Sequence, residues 1–152
     1  MSNVKLHDVS LDYAEQGRGE PVVFVHGSAS DARTWHAQRD EFATRYRVVT
    51  YSRRYHWPNE PITQGCDYSM AEQLDDLQAL VRSLGLVPVH LVGHSYGAFL
   101  ALLLAMRASG LVRTLVLAEP PIITLFVGNT PKPREMLKLL VARPRTAASI
   151  LS

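Results

Sequence analysis

Apolar positions along the chain fall into short runs separated by turn-forming residues. Val4, Leu6 and Val9 alternate imperfectly and residues 11–14 continue the pattern, so two strands are expected at the start. Gln16-Gly17-Arg18-Gly19-Glu20-Pro21 predicts a turn. Val22-Val23-Phe24-Val25 is an unbroken apolar run rich in β-branched residues, which suits a strand buried on both faces of a parallel sheet. A weakly periodic helix is expected over 31–44, with Trp35 and Phe42 on one side. Arg47-Val48-Val49-Thr50-Tyr51 predicts another strand. Residues 52–68 hold Pro58, Asn59, Pro61 and Gly65 and predict a long loop, a feature that in compact domains often carries function.

The next helix is marked at both ends. Ser69 and Glu72 have the spacing of a capping box, in which each side chain serves the other's backbone N–H. Met70, Leu74, Leu77, Val81 and Leu84 recur at helical spacing, and Gly85 stops the run. Residues 89–92 predict a buried strand. Residues 96–107 predict a helix apolar nearly all round, hence buried, with Gly110 ending it. Residues 111–118 predict a further strand, broken by Pro120-Pro121. Two short helical patterns follow, near 133–142 and 144–151. After the first strand pair, strands and helices alternate. That order predicts an α/β fold: a mostly parallel sheet with helices on both faces, and strand ends sharing one edge where such proteins keep their sites.

A length of 152 residues suits about one domain. With 47% apolar and 20% charged residues, a disordered tail or fibrous repeat is excluded. A formal charge of +2 gives no reason to expect a nucleic-acid or membrane partner. The densest basic clusters are Arg53-Arg54 and the tail with Lys132, Arg134, Lys138, Arg143 and Arg145, and both read as solvated faces. The single cysteine, Cys66, excludes an internal disulfide. Asp67 beside it is expected to raise its pKa, which argues against a nucleophilic thiol. The N-terminus lacks an apolar signal core, and the longest apolar run, 98–106, is too short to cross a bilayer. A soluble, cytoplasmic protein is expected, with no metal or cofactor assigned.

The chemistry centres on Gly93-His94-Ser95-Tyr96-Gly97, between a predicted strand and a predicted helix. A bare G-x-S-x-G is common by chance, whereas one in a strand–turn–helix setting is far more specific. A serine projecting from so sharp a turn needs tiny residues two before and two after it, or they collide with neighbouring elements. It also lies at a helix N-terminus, where negative charge is favoured. The plainer alternative is a tight turn with a passive serine. Val25-His26-Gly27-Ser28 ends the earlier buried strand. Acyl transfer needs two backbone N–H groups aimed at a developing oxyanion. Tyr96 and Ser28 are the candidate donors. Gly27 lets backbone approach substrate, and His26 reads as a structural histidine of the pocket loop rather than a proton carrier.

These motifs, VHGS and VGHSYGA, with the order of elements from about Val4 to Pro121, resemble the α/β-hydrolase superfamily, in its serine-nucleophile branch and N-terminal portion. The resemblance implies Ser95 as nucleophile, the Ser28 and Tyr96 N–H groups as oxyanion hole, and a small-molecule ester or related acyl substrate. Serine rather than aspartate at position 95 argues against haloalkane dehalogenases and epoxide hydrolases. C–C bond hydrolases, acyltransferases and perhydrolases on the same scaffold stay open. Tyr51-Ser52-Arg53-Arg54-Tyr55-His56 departs from the aspartate and glycines that many relatives have there, so no role is carried onto it.

The family order of serine, acid, histidine is not completed. All six histidines, His7, His26, His36, His56, His90 and His94, lie at or before position 94. His26 and His56 are weak candidates for the base, and the His94 side chain is expected to point away from Ser95. Glu119 is a candidate acid, against the preferred reading of a strand-end residue near the pocket mouth. By resemblance, 1–128 is expected to be the N-terminal part of a hydrolase core lacking its last strands. Residues 129–152 are then the start of a truncated helical cap. The strand over 111–118 would be left as an exposed edge. Two readings follow. One is a serine hydrolase completed by a further C-terminal segment or a homo-oligomer. The other is a non-catalytic fragment that binds a partner through its open sheet edge. Trp35, Trp57 and Phe126 read as pocket liners or as ordinary core.

Overall fold

The computed structural model describes residues 2–66 and 68–121. The predicted cap region, the two tail patterns and Phe126 lie outside the described residues. The opening hairpin pairs β1 (Ser2–Leu6) with β2 (Val9–Gln16) around the two-residue turn His7-Asp8. Then come β3 (Pro21–Val25), α1 (His36–Phe42), β4 (Arg47–Tyr51), α2 (Met70–Ser83), β5 (Val89–His94), α3 (Tyr96–Arg107) and β6 (Val112–Ala118). All belong to one compact unit, Met1–Pro120.

The strands form one six-stranded sheet in the order β1-β2-β4-β3-β5-β6. The β1–β2 and β2–β4 pairings are antiparallel, and β4–β3, β3–β5 and β5–β6 are parallel. The expected mostly parallel sheet with helices on both faces is therefore present. The alternation of side chains along β3 shows why its run is apolar throughout. Val22 and Phe24 face one layer with Val48, Trp35 and Phe42. Val23 and Val25 face the other, built with Leu74, Leu77, Leu80, Leu100 and Leu104 of α2 and α3. Trp35 is thus core, with its ring 5.0 Å from that of Phe24.

Helix ends follow local chemistry. Ser69 Oγ accepts the Glu72 N–H at 3.2 Å, the expected half of the capping box, and the Glu72 carboxylate also takes Arg54 Nη1 at 2.6 Å. At the other end Gly85 has φ +63°, while the Leu86 N–H bonds to Val81 O at 2.9 Å and the Gly85 N–H to Arg82 O at 3.1 Å. These are the paired bonds of a Schellman motif, which needs a left-handed residue at Gly85.

Several expectations require correction. The first turn of the expected 31–44 helix is 3-10, over Ala32–Trp35, with Asp31 capping it. Gly110 lies inside a second 3-10 turn, Ser109–Leu111, rather than ending α3. The α3 helix is buried on one face only: Gly97, Ala98, Leu100, Ala101 and Leu104 pack inward, while Met106 is exposed. Among the described residues α3 packs against β3, β5, β6 and α2, and these leave its outer face uncovered. The largest correction concerns Arg53 and Arg54, which are 1% and 4% exposed rather than solvated. Arg54 reaches three carboxylates, those of Asp76 at 2.7 Å, Glu72 at 2.6 Å and Asp8 at 3.1 Å. Burial of a charge is tolerated when it is paired and hydrogen-bonded in this way. No helix among the described residues is long and apolar enough to cross a membrane.

Candidate active site

Because β4, β3, β5 and β6 are parallel neighbours, their carboxyl ends lie side by side. Arg53, the His26-Gly27-Ser28 turn, Ser95 and Glu119 follow those four ends in that order. Adjacent strands are about 4.8 Å apart, so Ser95 sits one strand from the His26 turn and one from Glu119. This is the edge at which open α/β sheets place their ligands.

Ser95 is the hinge between β5 and α3. Its backbone has φ 51° and ψ −122°, a strained conformation for any residue but glycine. The strain is held from both sides. The Ser95 N–H donates to Ala118 O at 2.8 Å, and Ser95 O accepts from the Ala98 N–H at 3.0 Å and the Phe99 N–H at 3.2 Å. The flanking glycines are needed for the reason expected. A Cβ at Gly97 would run into the carbonyl oxygens of Val25 and His26, and one at Gly93 would lie 2.5 Å from Ala98 Cα. Gly27 closes the opposite wall. A Cβ there would lie 3.2 Å from Ser95 Cβ and 3.3 Å from His94 Nδ1.

His26 is fully buried. Its Nε2 accepts the Arg53 N–H at 2.9 Å, which leaves Nδ1 to carry the proton and donate to Gly27 O at 2.8 Å. Burial, and then the Arg53 charge, push its pKa down to about 3. The ring is therefore neutral and both nitrogens are committed to backbone. His56 is held similarly: Nδ1 donates to Ser30 O at 2.9 Å and Nε2 accepts from the Tyr68 hydroxyl at 2.8 Å. Burial lowers its pKa too. Among the described residues no side chain hydrogen-bonds to Ser95 Oγ. His94 turns toward Glu119, with Nε2 3.6 Å from the carboxylate. Glu119 itself is largely exposed and has φ 51°.

Two backbone donors stand free at this edge. The Ser28 and Tyr96 N–H groups bond to nothing among the described residues. Tyr96 is the first residue of α3, where the helix leaves its N–H groups without partners. Ser28 is exposed, next to the buried Gly27. Cys66 stands apart, in the 52–68 loop. Its thiol pKa is lowered rather than raised, because Thr63 hydrogen-bonds to the sulfur, Oγ1 to Sγ being 3.0 Å.

Local sequence missed the part played by Arg53. Its Nε donates to His26 O at 3.2 Å, Nη2 to Gly27 O at 3.0 Å and Nη1 to Gln73 Oε1 at 2.9 Å. The guanidinium carbon lies 4.7 Å from the centroid of the Tyr96 ring. A usable signal was present on α2, where Gln73 and Asp76 share the buried face with Leu77 and Leu80. Polar residues on an apolar helical face call for buried partners.

A parallel sheet whose strand–helix elbow holds a serine at positive φ, beside a glycine turn on the neighbouring strand, defines an α/β-hydrolase core. The sequence model of the alpha/beta hydrolase family matches residues 22–151, and the chain belongs to that family. It is 31% identical over 126 residues to the uncharacterized hydrolase YraK of Bacillus subtilis, covering 83% of this chain and 46% of that one. It is 35% identical over 118 residues to non-heme chloroperoxidase CPO-A1 of Kitasatospora aureofaciens, covering 75% and 42%. A solved thermophilic esterase from Thermogutta terrifontis superposes with a TM-score of 0.72 at 28% identity, over 79% of this chain and 46% of that one. The chain thus spans less than half the length of these relatives.

Proposed function

We propose that this chain carries the nucleophile and oxyanion hole of an esterase-like serine hydrolase acting on a small-molecule ester or related acyl compound. Ser95 Oγ attacks the acyl carbon and gives up its proton to a base supplied by residues outside the described set. The carbonyl oxygen becomes an oxyanion bonded by the Ser28 and Tyr96 N–H groups. Collapse of this adduct expels the alcohol, protonated by the base, and leaves acyl-Ser95. Water then attacks the acyl group, releases the acid and restores the serine. The observation that carries this reading is Ser95 at φ 51° on a strand–helix turn, beside Gly27 and two free backbone donors. His26 and Gly27 shape the turn below the substrate rather than exchange protons with it.

The test is labelling of the 152-residue chain with a fluorophosphonate, which phosphonylates reactive serines. Labelling that disappears in Ser95→Ala is expected. A folded chain that never labels would refute the nucleophile and favour a non-catalytic domain. That alternative has a location in the fold: β6 is the outer strand among the described residues and exposes Val116.

A further inference from the structure

We infer that Arg53 is a positioning residue that sets both donors of the oxyanion hole at once, an inference that rests on the hydrolase reading above. The Gly27–Ser28 peptide is trans, so its C=O and N–H point in opposite directions in one plane. Its carbonyl oxygen takes three donors: His26 Nδ1 at 2.8 Å, Arg53 Nη2 at 3.0 Å and Ser30 Oγ at 3.3 Å. Fixing the carbonyl on the buried side fixes the Ser28 N–H on the open side, where Ser28 is exposed and Gly27 abuts Ser95. The same guanidinium lies under the ring of Tyr96, the residue that supplies the second N–H.

The fork matters more than the charge. Nε and Nη2 are a rigid pair that engages two consecutive carbonyls, His26 O and Gly27 O, while Nη1 is anchored on Gln73 of α2. A lysine ammonium is a point donor and does not reproduce that spacing. Arg53 is itself located by its own backbone, whose N–H donates to His26 Nε2 at 2.9 Å. The turn after β3 and the turn after β4 are thus tied by three hydrogen bonds from the Arg53 side chain and backbone, and a further bond from His26 to Gly27 O braces the β3 turn itself. None of these groups needs to touch substrate.

Arg53→Lys in the full chain tests this. The limiting rate of Ser95 phosphonylation should fall about a hundredfold, as expected for a misplacement near 1 Å, while the probe concentration giving half that rate stays within about twofold. The backbone amide NMR signals of Ser28 and Tyr96 should move, and those of Leu80 and Leu104 should not. A wild-type chain that labels, with an Arg53→Lys variant that labels equally fast, overturns this inference alone. A wild-type chain that never labels overturns the hydrolase reading and this inference with it. Should Arg53→Lys not fold, the wild type decides by the scalar coupling across the hydrogen bond from the Arg53 guanidinium to the Gly27 carbonyl carbon. Its presence supports the clamp, and its absence overturns it.

Discussion

Acid should unfold this domain through His26, and the size of the effect follows from its burial. The ring has no exposed surface, accepts one backbone N–H and donates to one backbone carbonyl. Protonation would turn the Nε2 acceptor into a donor facing the Arg53 N–H and would place a second cation beside the guanidinium. The folded pKa is about 3 against an ordinary 6.5. The sign follows directly. Between those values the unfolded chain binds the proton and the folded one does not, so stability rises with pH. The contribution is fully present above pH about 6.5 and is lost as pH falls toward 3. At about 1.4 kcal/mol per pH unit the whole window is worth on the order of 4–5 kcal/mol. That is comparable to the total stability of many domains, typically about 5–15 kcal/mol.

His26→Gln isolates this effect, because a glutamine oxygen accepts the Arg53 N–H and does not titrate. Urea unfolding of both proteins, followed at steps between pH 4.5 and 7 by the fluorescence of the buried Trp35, gives stability against pH. The wild type should lose about 1.4 kcal/mol per pH unit more than the variant below pH about 6. His56, whose pKa is also lowered, acts in the same direction but in both proteins, so it cancels in the difference. Equal slopes in wild type and variant would refute the reasoning, whatever the variant's absolute stability.

Gly97→Ala drives a methyl group into the carbonyl oxygens at the end of β3, so α3 must move away from the His26 turn. A loss of about 1–3 kcal/mol in urea unfolding is expected, together with a fall in Ser95 labelling rate of about a hundredfold, since the two proposed oxyanion donors separate. Unchanged labelling would show that the elbow tolerates the methyl group without opening. Asp76→Asn leaves the buried Arg54 with weaker partners in the more exposed Asp8 and Glu72, and a loss of about 3–5 kcal/mol is expected by calorimetry or urea. A loss below about 1 kcal/mol would mean that Arg54 draws its support elsewhere.

The elements were legible where burial is decided locally. The run 22–25 is apolar on both faces because both faces are covered, and β4 and α3 have the bounds that their patterns predict. The elbow was legible because so sharp a strand–helix turn leaves no room for a Cβ on either side of Ser95: Gly93 meets Ala98 a few residues on, and Gly97 meets the end of β3. Arg53 and Arg54 were not legible, because their burial depends on groups far along the chain. Asp8 lies 46 residues from Arg54, and Gln73 lies 20 from Arg53. A local pattern sees two adjacent cations and assigns them to water. The fold brings three carboxylates and two carbonyls to meet them. Similarly, the structural role of His26 could be read from the motif, but its partner on the β4 turn could not.

The strain at Ser95 shows how the site depends on the core. A non-glycine residue in such a conformation costs about 1–3 kcal/mol and persists only where its surroundings over-determine it. Here the constraint comes from β6, which pairs with β5 as far as His94↔Ala118 and then takes the Ser95 N–H on Ala118 O. It comes equally from α3, whose first turn closes on Ser95 O, and from β3, against whose end Gly97 is wedged. Three apolar elements therefore fix one hydroxyl-bearing residue, and their stabilisation is spread over buried leucines and valines that never approach a substrate. On the other wall the constraint is polar: His26 and Arg53 hold the Gly27–Ser28 peptide through its carbonyl. Truncating core side chains on α3 should therefore erode global stability before it moves Ser95. Changes at Arg53 should move the Ser28 and Tyr96 N–H groups, the proposed oxyanion donors, while leaving Ser95 and the sheet in place.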